Sequence, residues 1–230
     1  MKTVGIIGGI APESTIVYYK EIVNAFIKLT DEKVYPKIII NSIDMKKMLG
    51  QLNENKLDEL TEYILEETEK LVKAGADFGL LASNTPHIVF NRIKEKSSLP
   101  MISIVEATCR KAKNLGLKKV CLLGTKFTMR YTFYHDVFLK EDIKIVTPDD
   151  GSQDYIHKIY FAELVRGIFL DETKQNLLRI VDKMIESENI EGVILGGTEL
   201  PLILKDGDRD IPFLDTTMIH VEEVIKEMMG

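Results

Sequence analysis

Leu81-Ala82-Ser83-Asn84-Thr85-Pro86-His87 and, 114 positions later (197 − 83), Leu195-Gly196-Gly197-Thr198-Glu199-Leu200-Pro201 each close an apolar run with small and polar residues. Both read as the end of a buried strand turning into a helix, where backbone N–H groups gather around a bound anion. A second pair of strand ends repeats at nearly the same distance. Val4-Gly5-Ile6-Ile7-Gly8-Gly9 is echoed by Lys119-Val120-Cys121-Leu122-Leu123-Gly124-Thr125, an offset of 116 (124 − 8). Two strand ends recurring at a shared spacing predict an internal duplication of two similar α/β lobes.

Between these landmarks, short apolar runs alternate with helical patterns, which predicts mainly parallel sheets flanked by helices. Thr3 to Ile7 reads as a strand. The helix after it is expected to be capped near Ser14, with Ile16, Tyr19, Ile22, Val23, Phe26 and Ile27 on one face. Strands are also expected at 38–43, 78–82 and 101–105. Leu57 to Lys73 is the clearest amphipathic helix, with Leu57, Leu60, Ile64, Leu71 and Val72 inward and Gly75 just past its end. Pro148-Asp149-Asp150-Gly151 reads as a surface loop. The expected division is an N-terminal α/β lobe over residues 1–105 and a C-terminal α/β lobe over 106–214, with a last helix at 215–230 packing back onto the first. Ligands of open α/β sheets bind outside the carboxyl ends of the strands. The Gly8, Ser83, Gly124 and Gly197 loops are therefore expected around one cleft between the lobes.

Composition narrows the class. Of 230 residues, 45% are hydrophobic and 29% charged, as in an ordinary globular protein able to bury a substantial core. A net charge of −6 gives no support to a nucleic-acid partner. No run approaches the ~18 apolar residues of a membrane span. The opening Met1-Lys2-Thr3-Val4-Gly5 goes straight into a strand, with no secretory leader pattern, so a cytoplasmic location is expected. Cys109 and Cys121 are too few for a disulfide framework and are expected as buried thiols. No dense His/Cys cluster suggests a metal site.

Several residues stand out chemically. Gly8-Gly9-Ile10-Ala11-Pro12-Glu13-Ser14-Thr15 is a glycine-containing turn before a helix, but it is neither GxGxxG nor GxxxxGK[ST]. Its plain reading is a strand–helix turn that needs small residues. The amide of Asn84 and the hydroxyl of Thr85 suit an α-carboxylate, and equally suit a helix cap. His87 follows Ser83 by four residues, about one helical turn, in position to orient groups at the loop. Glu199, Asp215 and His220 are further titratable candidates, the plain reading of each His being a hydrogen-bonded structural residue. His135 and His157 read as ordinary helix residues.

Taken in order, these motifs resemble the aspartate/glutamate racemase family, the cofactor-independent amino-acid racemases, from Gly5 to about His220. The resemblance implies racemisation by proton removal and return at Cα of an amino acid or dicarboxylate, without pyridoxal phosphate, metal or other cofactor, in a homodimer. The family begins with a similar GGx-x-x-x-[ST]-T segment, which would place Ser14 and Thr15 on the substrate carboxylate. Asn84 and Thr85 correspond to the Asn-Thr of its Cys-Asn-Thr-x-His loop. Gly124-Thr125-Lys126-Phe127-Thr128-Met129 resembles its Gly-Thr-x-x-Thr-Met loop, with Thr125 as carboxylate ligand. Thr198 and Glu199 match the Thr-Glu after its second cysteine, and His220 sits in a similar Asp-x-x-x-x-His. Some aspartate-specific members place a Lys near Arg166, but in register that Lys falls on Val165.

The departure lies at the bases. The family carries one cysteine in each loop, and those positions hold Ser83 and Gly197 here. A thiolate/thiol pair suits proton transfer because Cys titrates near pH 8.5 and is easily pushed lower. A Ser hydroxyl is a base only if another group takes its proton, and Gly197 offers no side chain. Four readings stand open: a racemase with altered or lost activity; a racemase, related isomerase or lyase in which His87 and Glu199 have taken over; a non-catalytic amino-acid or dicarboxylate binder; and an engineered substitution.

Overall fold

The computed structural model describes residues 1–30 and 34–230. The chain divides into two compact units, Met1–Ile104 with His220–Gly230, and Val105–Ile219. Along the first run β1 (Val4–Gly8), α1 (Pro12–Leu29), β2 (Ile38–Ser42), α2 (Met45–Asn53), α3 (Leu57–Lys73), β3 (Phe78–Leu81), α4 (Phe90–Lys96) and β4 (Met101–Ile102). Then follow α5 (Ile104–Asn114), β5 (Lys119–Gly124), α6 (Lys126–Arg130), α7 (Phe133–Leu139), β6 (Lys144–Val146), α8 (Asp150–Ala162), α9 (Asp171–Glu188), β7 (Gly192–Gly196), α10 (Leu200–Ile203) and β8 (Phe213–Asp215). A last helix, α11 (Thr216–Met229), belongs to the first unit from His220 onward.

Each unit holds a four-stranded sheet, and the two strand orders are the same: β2-β1-β3-β4 and β6-β5-β7-β8. Every pairing is parallel. Ile6 of β1 lies between Ile40 and Leu80, just as Cys121 of β5 lies between Val146 and Val193. The earliest strand of each sheet is thus internal, with its successors on opposite sides. The chain leaves the carboxyl ends of β1 and β3, and of β5 and β7, in opposite senses, which creates a switch point in each sheet.

The central strands β1, β3 and β7 are buried along their whole length, as parallel strands covered on both faces should be. In the first unit Val4, Ile6, Phe78 and Leu80 share one face of the sheet. They form a core with Tyr18, Ile22 and Phe26 of α1 and with Val221, Val224, Ile225 and Met228 of α11. In the second unit Cys121, Leu123, Val193 and Leu195 share one face of the sheet. They pack with Ile156 and Tyr160 of α8 and Leu177 and Val181 of α9.

Helix α3 spans Leu57–Lys73, with Leu60, Ile64 and Leu71 buried. Other boundaries differ from the sequence reading for local reasons. Pro12 opens α1, where its missing N–H costs nothing, and Ala11 is the N-cap, without a side-chain bond. Ser14 is already inside the helix and donates to the Ala11 carbonyl at 2.7 Å. The buried stripe of α1 runs Ser14, Tyr18, Ile22, Phe26, at steps of four, which leaves Ile16 and Tyr19 exposed at 64% and 50%. Pro148–Gly151 is more than a loop, because Asp149 caps α8 by accepting from the Ser152 N–H at 2.9 Å. Strand β4 stops at Ile102 because α5 begins at Ile104.

The contribution of α11 to the first core can be measured. Met228 is fully buried there. Met228→Ala should cost about 2–5 kcal/mol in urea unfolding, the range of large-to-small core substitutions.

Candidate active site

Four of the sequence motifs fall on the switch points. In the first unit, Gly8-Gly9 ends β1 and leads into α1, while Ser83, Asn84 and Thr85 follow β3. Gly9 has φ +82°, a region open to glycine, and its N–H donates to Thr15 Oγ1 at 2.8 Å. The Ser14 and Thr15 hydroxyls therefore both close the β1 turn, Ser14 as donor and Thr15 as acceptor. Asn84 stands at the N-cap of a short 3-10 turn, Thr85–Val89, without a side-chain capping bond. Ser83, Asn84 and Thr85 are all buried.

His87 lies in the same 3-10 turn, stacked on Phe90 with ring centroids 4.8 Å apart. Its Nε2 accepts the Ile104 N–H at 3.2 Å, so Nδ1 carries the proton and donates to the Ser83 carbonyl at 2.9 Å. Burial first, and then the neighbouring His220, hold its pKa down at about 3. His220 of α11 bonds Tyr18 Oη through Nδ1 at 2.8 Å and the Ile102 carbonyl through Nε2 at 3.1 Å. His87 and His220 face each other edge-on at 6.4 Å. The neutral His87 ring thus ties the β3 loop to the start of α5.

In the second unit, Thr125 follows β5 and caps α6, its Oγ1 accepting from the Thr128 N–H at 3.3 Å. His157 of α8, which reads as an ordinary helix residue in the sequence, accepts the Lys126 N–H at 3.3 Å through Nδ1. Arg166 ends a 3-10 turn, Leu164–Arg166. Asp215 caps α11, its Oδ1 accepting from Thr217 N–H at 2.9 Å. Cys109 and Cys121 are buried in α5 and β5, and burial raises both thiols, Cys109 to about 11.

The β7 loop holds a buried polar cluster that sequence reading only half found. Tyr160 Oη donates to Glu199 Oε2, and Thr198 Oγ1 donates to the same oxygen at 2.8 Å. All three residues are buried. Burial first, and then the Glu199 charge and hydrogen bond, raise the Tyr160 phenol well above its ordinary 10. The same phenol explains Gly197. A Cβ built on Gly197 would lie 2.6 Å from both Oη and Cε2 of Tyr160, closer than side chains approach. The space where a side chain at 197 would begin is occupied by the tip of Tyr160. The glycine itself was the only available sequence signal: a bare position in a loop that resembles one bearing a side chain.

Among the described residues, no group of three or more His, Cys, Asp or Glu is arranged to hold a metal ion, and no helix is long and apolar enough to cross a membrane.

Two outcomes follow from this geometry. Held at about 3 rather than 6.5, His87 binds a proton less readily in the folded than in the unfolded chain. Its stabilising effect is complete above about pH 6.5 and is lost as pH falls toward 3. Stability measured by urea unfolding should therefore drop less steeply across that window in His87→Asn than in the wild type. At the second loop, Gly197→Ala should cost about 1–3 kcal/mol by overpacking. Combined with Tyr160→Ala, it should cost less than the sum of the two by more than about 0.5 kcal/mol.

The comparisons with known proteins agree with this arrangement. The profile of the Asp/Glu/Hydantoin racemase family matches residues 7–224. An aspartate racemase homologue from Pyrococcus horikoshii OT3 is 36% identical, with a TM-score of 0.88 and full coverage of both chains. The broad specificity amino-acid racemase RacX of Bacillus subtilis (strain 168) is 25% identical over 236 residues, covering 99% of this chain and 98% of that one. The aspartate racemase of Picrophilus torridus, at 22% identity and a TM-score of 0.75 over 100% and 95% of the two chains, shares the fold. With its two parallel sheets of one strand order and its motifs at the carboxyl ends of the central strands, the chain belongs to the Asp/Glu/Hydantoin racemase family.

Proposed function

We propose that this protein is a pyridoxal-phosphate-independent amino-acid racemase of the aspartate/glutamate type, removing and returning a proton at Cα. The observation that carries the reading is the placement of the Gly8, Ser83, Thr125 and Gly197 loops at the switch points of both sheets. Ligands of open α/β sheets gather there. In the first unit Thr15, Asn84 and Thr85, and in the second unit Thr125, would offer hydroxyl or amide donors to a carboxylate, while Ser14 and Thr198, whose hydroxyls donate to the Ala11 carbonyl and to Glu199, would offer backbone N–H groups. His87, neutral and bonded through both ring nitrogens to backbone, would hold the β3 loop in shape, with Ser83 presented at its start. Glu199, with its acceptor oxygen already ordered, is the charged group available on the β7 loop. A cytoplasmic homodimer belongs to the same proposal, by family analogy.

A second reading, an amino-acid or dicarboxylate binder without turnover, is favoured by one observation: Gly197 carries no proton-transferring side chain, at a position where the resemblance implies a cysteine. NMR in D₂O with a panel of L- and D-amino acids separates the two. A racemase should replace the Cα proton by deuterium and invert the centre for at least one member, with aspartate and glutamate first in expectation. Stabilisation by the same panel without any exchange would establish the binder instead.

A further inference from the structure

The vacancy at residue 197 is filled by a specific chemical group, and the filling is mutual. Gly197 is bare where the ring of Tyr160 needs space, and the phenolic oxygen stands 2.6 Å from the point at which a side chain at 197 would start. That oxygen is no passive filler, because it donates to Glu199 Oε2. Thr198 Oγ1 donates to the same Oε2 at 2.8 Å. Two hydroxyl donors thus converge on one carboxyl oxygen, which accepts both. Tyr160 comes from α8 and Glu199 from the loop after β7, so a helix and a strand end converge on one buried hydrogen bond.

We infer that Tyr160 and Glu199 together form the proton-transferring pair of the second loop, the phenol standing where the family's second cysteine begins. The inference rests on the proposed racemase reading and names the group that does its chemistry on this loop. In the forward step Tyr160 Oη takes the Cα proton while its own proton passes along the existing hydrogen bond to Glu199 Oε2. The Cα–H bond breaks, its electron pair stays on Cα and spreads into the substrate carboxylate, and no tyrosinate accumulates. The reverse transfer moves the proton from Glu199 to Tyr160 and from Tyr160 to Cα. Thr198 is a positioning residue, fixing the acceptor oxygen. A pair on one loop addresses one face of Cα, so it serves one enantiomer.

The test uses the full chain with L- and D-aspartate and L- and D-glutamate in D₂O, reading initial deuterium wash-in at Cα by NMR. Wild-type wash-in is expected to differ between enantiomers. Tyr160→Phe, which keeps the ring, should lower the faster enantiomer's rate by about 10²-fold or more, the usual contribution of a general base. Glu199→Gln, close in volume, should do the same. In both, the thermal shift produced by the amino acid should persist, which a merely structural loss would not allow. Wild-type rates in either variant, or equal losses for both enantiomers, would overturn the inference and leave the racemase reading standing. A wild-type protein that exchanges no Cα proton would overturn both.

Discussion

Placing the earliest strand of each unit inside its sheet is the constraint on which the rest depends. Because β1 pairs with β2 on one side and β3 on the other, the connections after β1 and β3 diverge, and the carboxyl edge opens where they part. The same is true of β5 and β7. Interior position also dictates composition. A parallel strand covered on both faces must be apolar along its length, so the first polar atoms after it mark the edge of the sheet. Ser83, Asn84 and Thr85 after β3, and Thr198 and Glu199 after β7, are those atoms.

The two units spend the same topology differently. After β3 the buried titratable group is His87, neutral, with each ring nitrogen committed to a backbone partner. After β7 it is Glu199, whose oxygen gathers two hydroxyl donors. One loop is tied down by a ring bonded to backbone on both sides, and the other gathers dedicated hydroxyl donors around a buried carboxyl group. Burying a carboxylate without such partners would be severely unfavourable. The two units therefore share one scaffold while the chemistry of their switch points differs.

How much of this was legible follows from what is local. The central strands and their loops could be read because an apolar run ending in Gly, Ser or Thr is a contiguous signal. The repeat was visible because both strand ends shifted together, by 116 and 114 positions. Cap positions were less legible: Pro12 starts α1 before Ser14, and Asp149 turns an apparent loop into a helix start, each decided by one or two hydrogen bonds. Tyr160 was invisible. It lies 37 positions before Gly197 (197 − 160), in a helix whose own pattern gives no reason to mark it. Only the packing of α8 on the sheet brings its hydroxyl to the β7 loop.

That packing also explains why a glycine at 197 and a tyrosine at 160 belong together. With the ring in place, any side chain at 197 must push a buried, hydrogen-bonded aromatic out of its seat. With the ring removed and the glycine kept, a void opens beside Glu199, and its oxygen loses one of two donors. Each single change is unfavourable, one by overpacking and the other by a cavity with an underbonded carboxylate. A thiol at 197 and a phenol at 160 are thus alternative occupants of one space. A side chain at residue 197 escapes that cost only when the helix that delivers Tyr160 gives up the same volume.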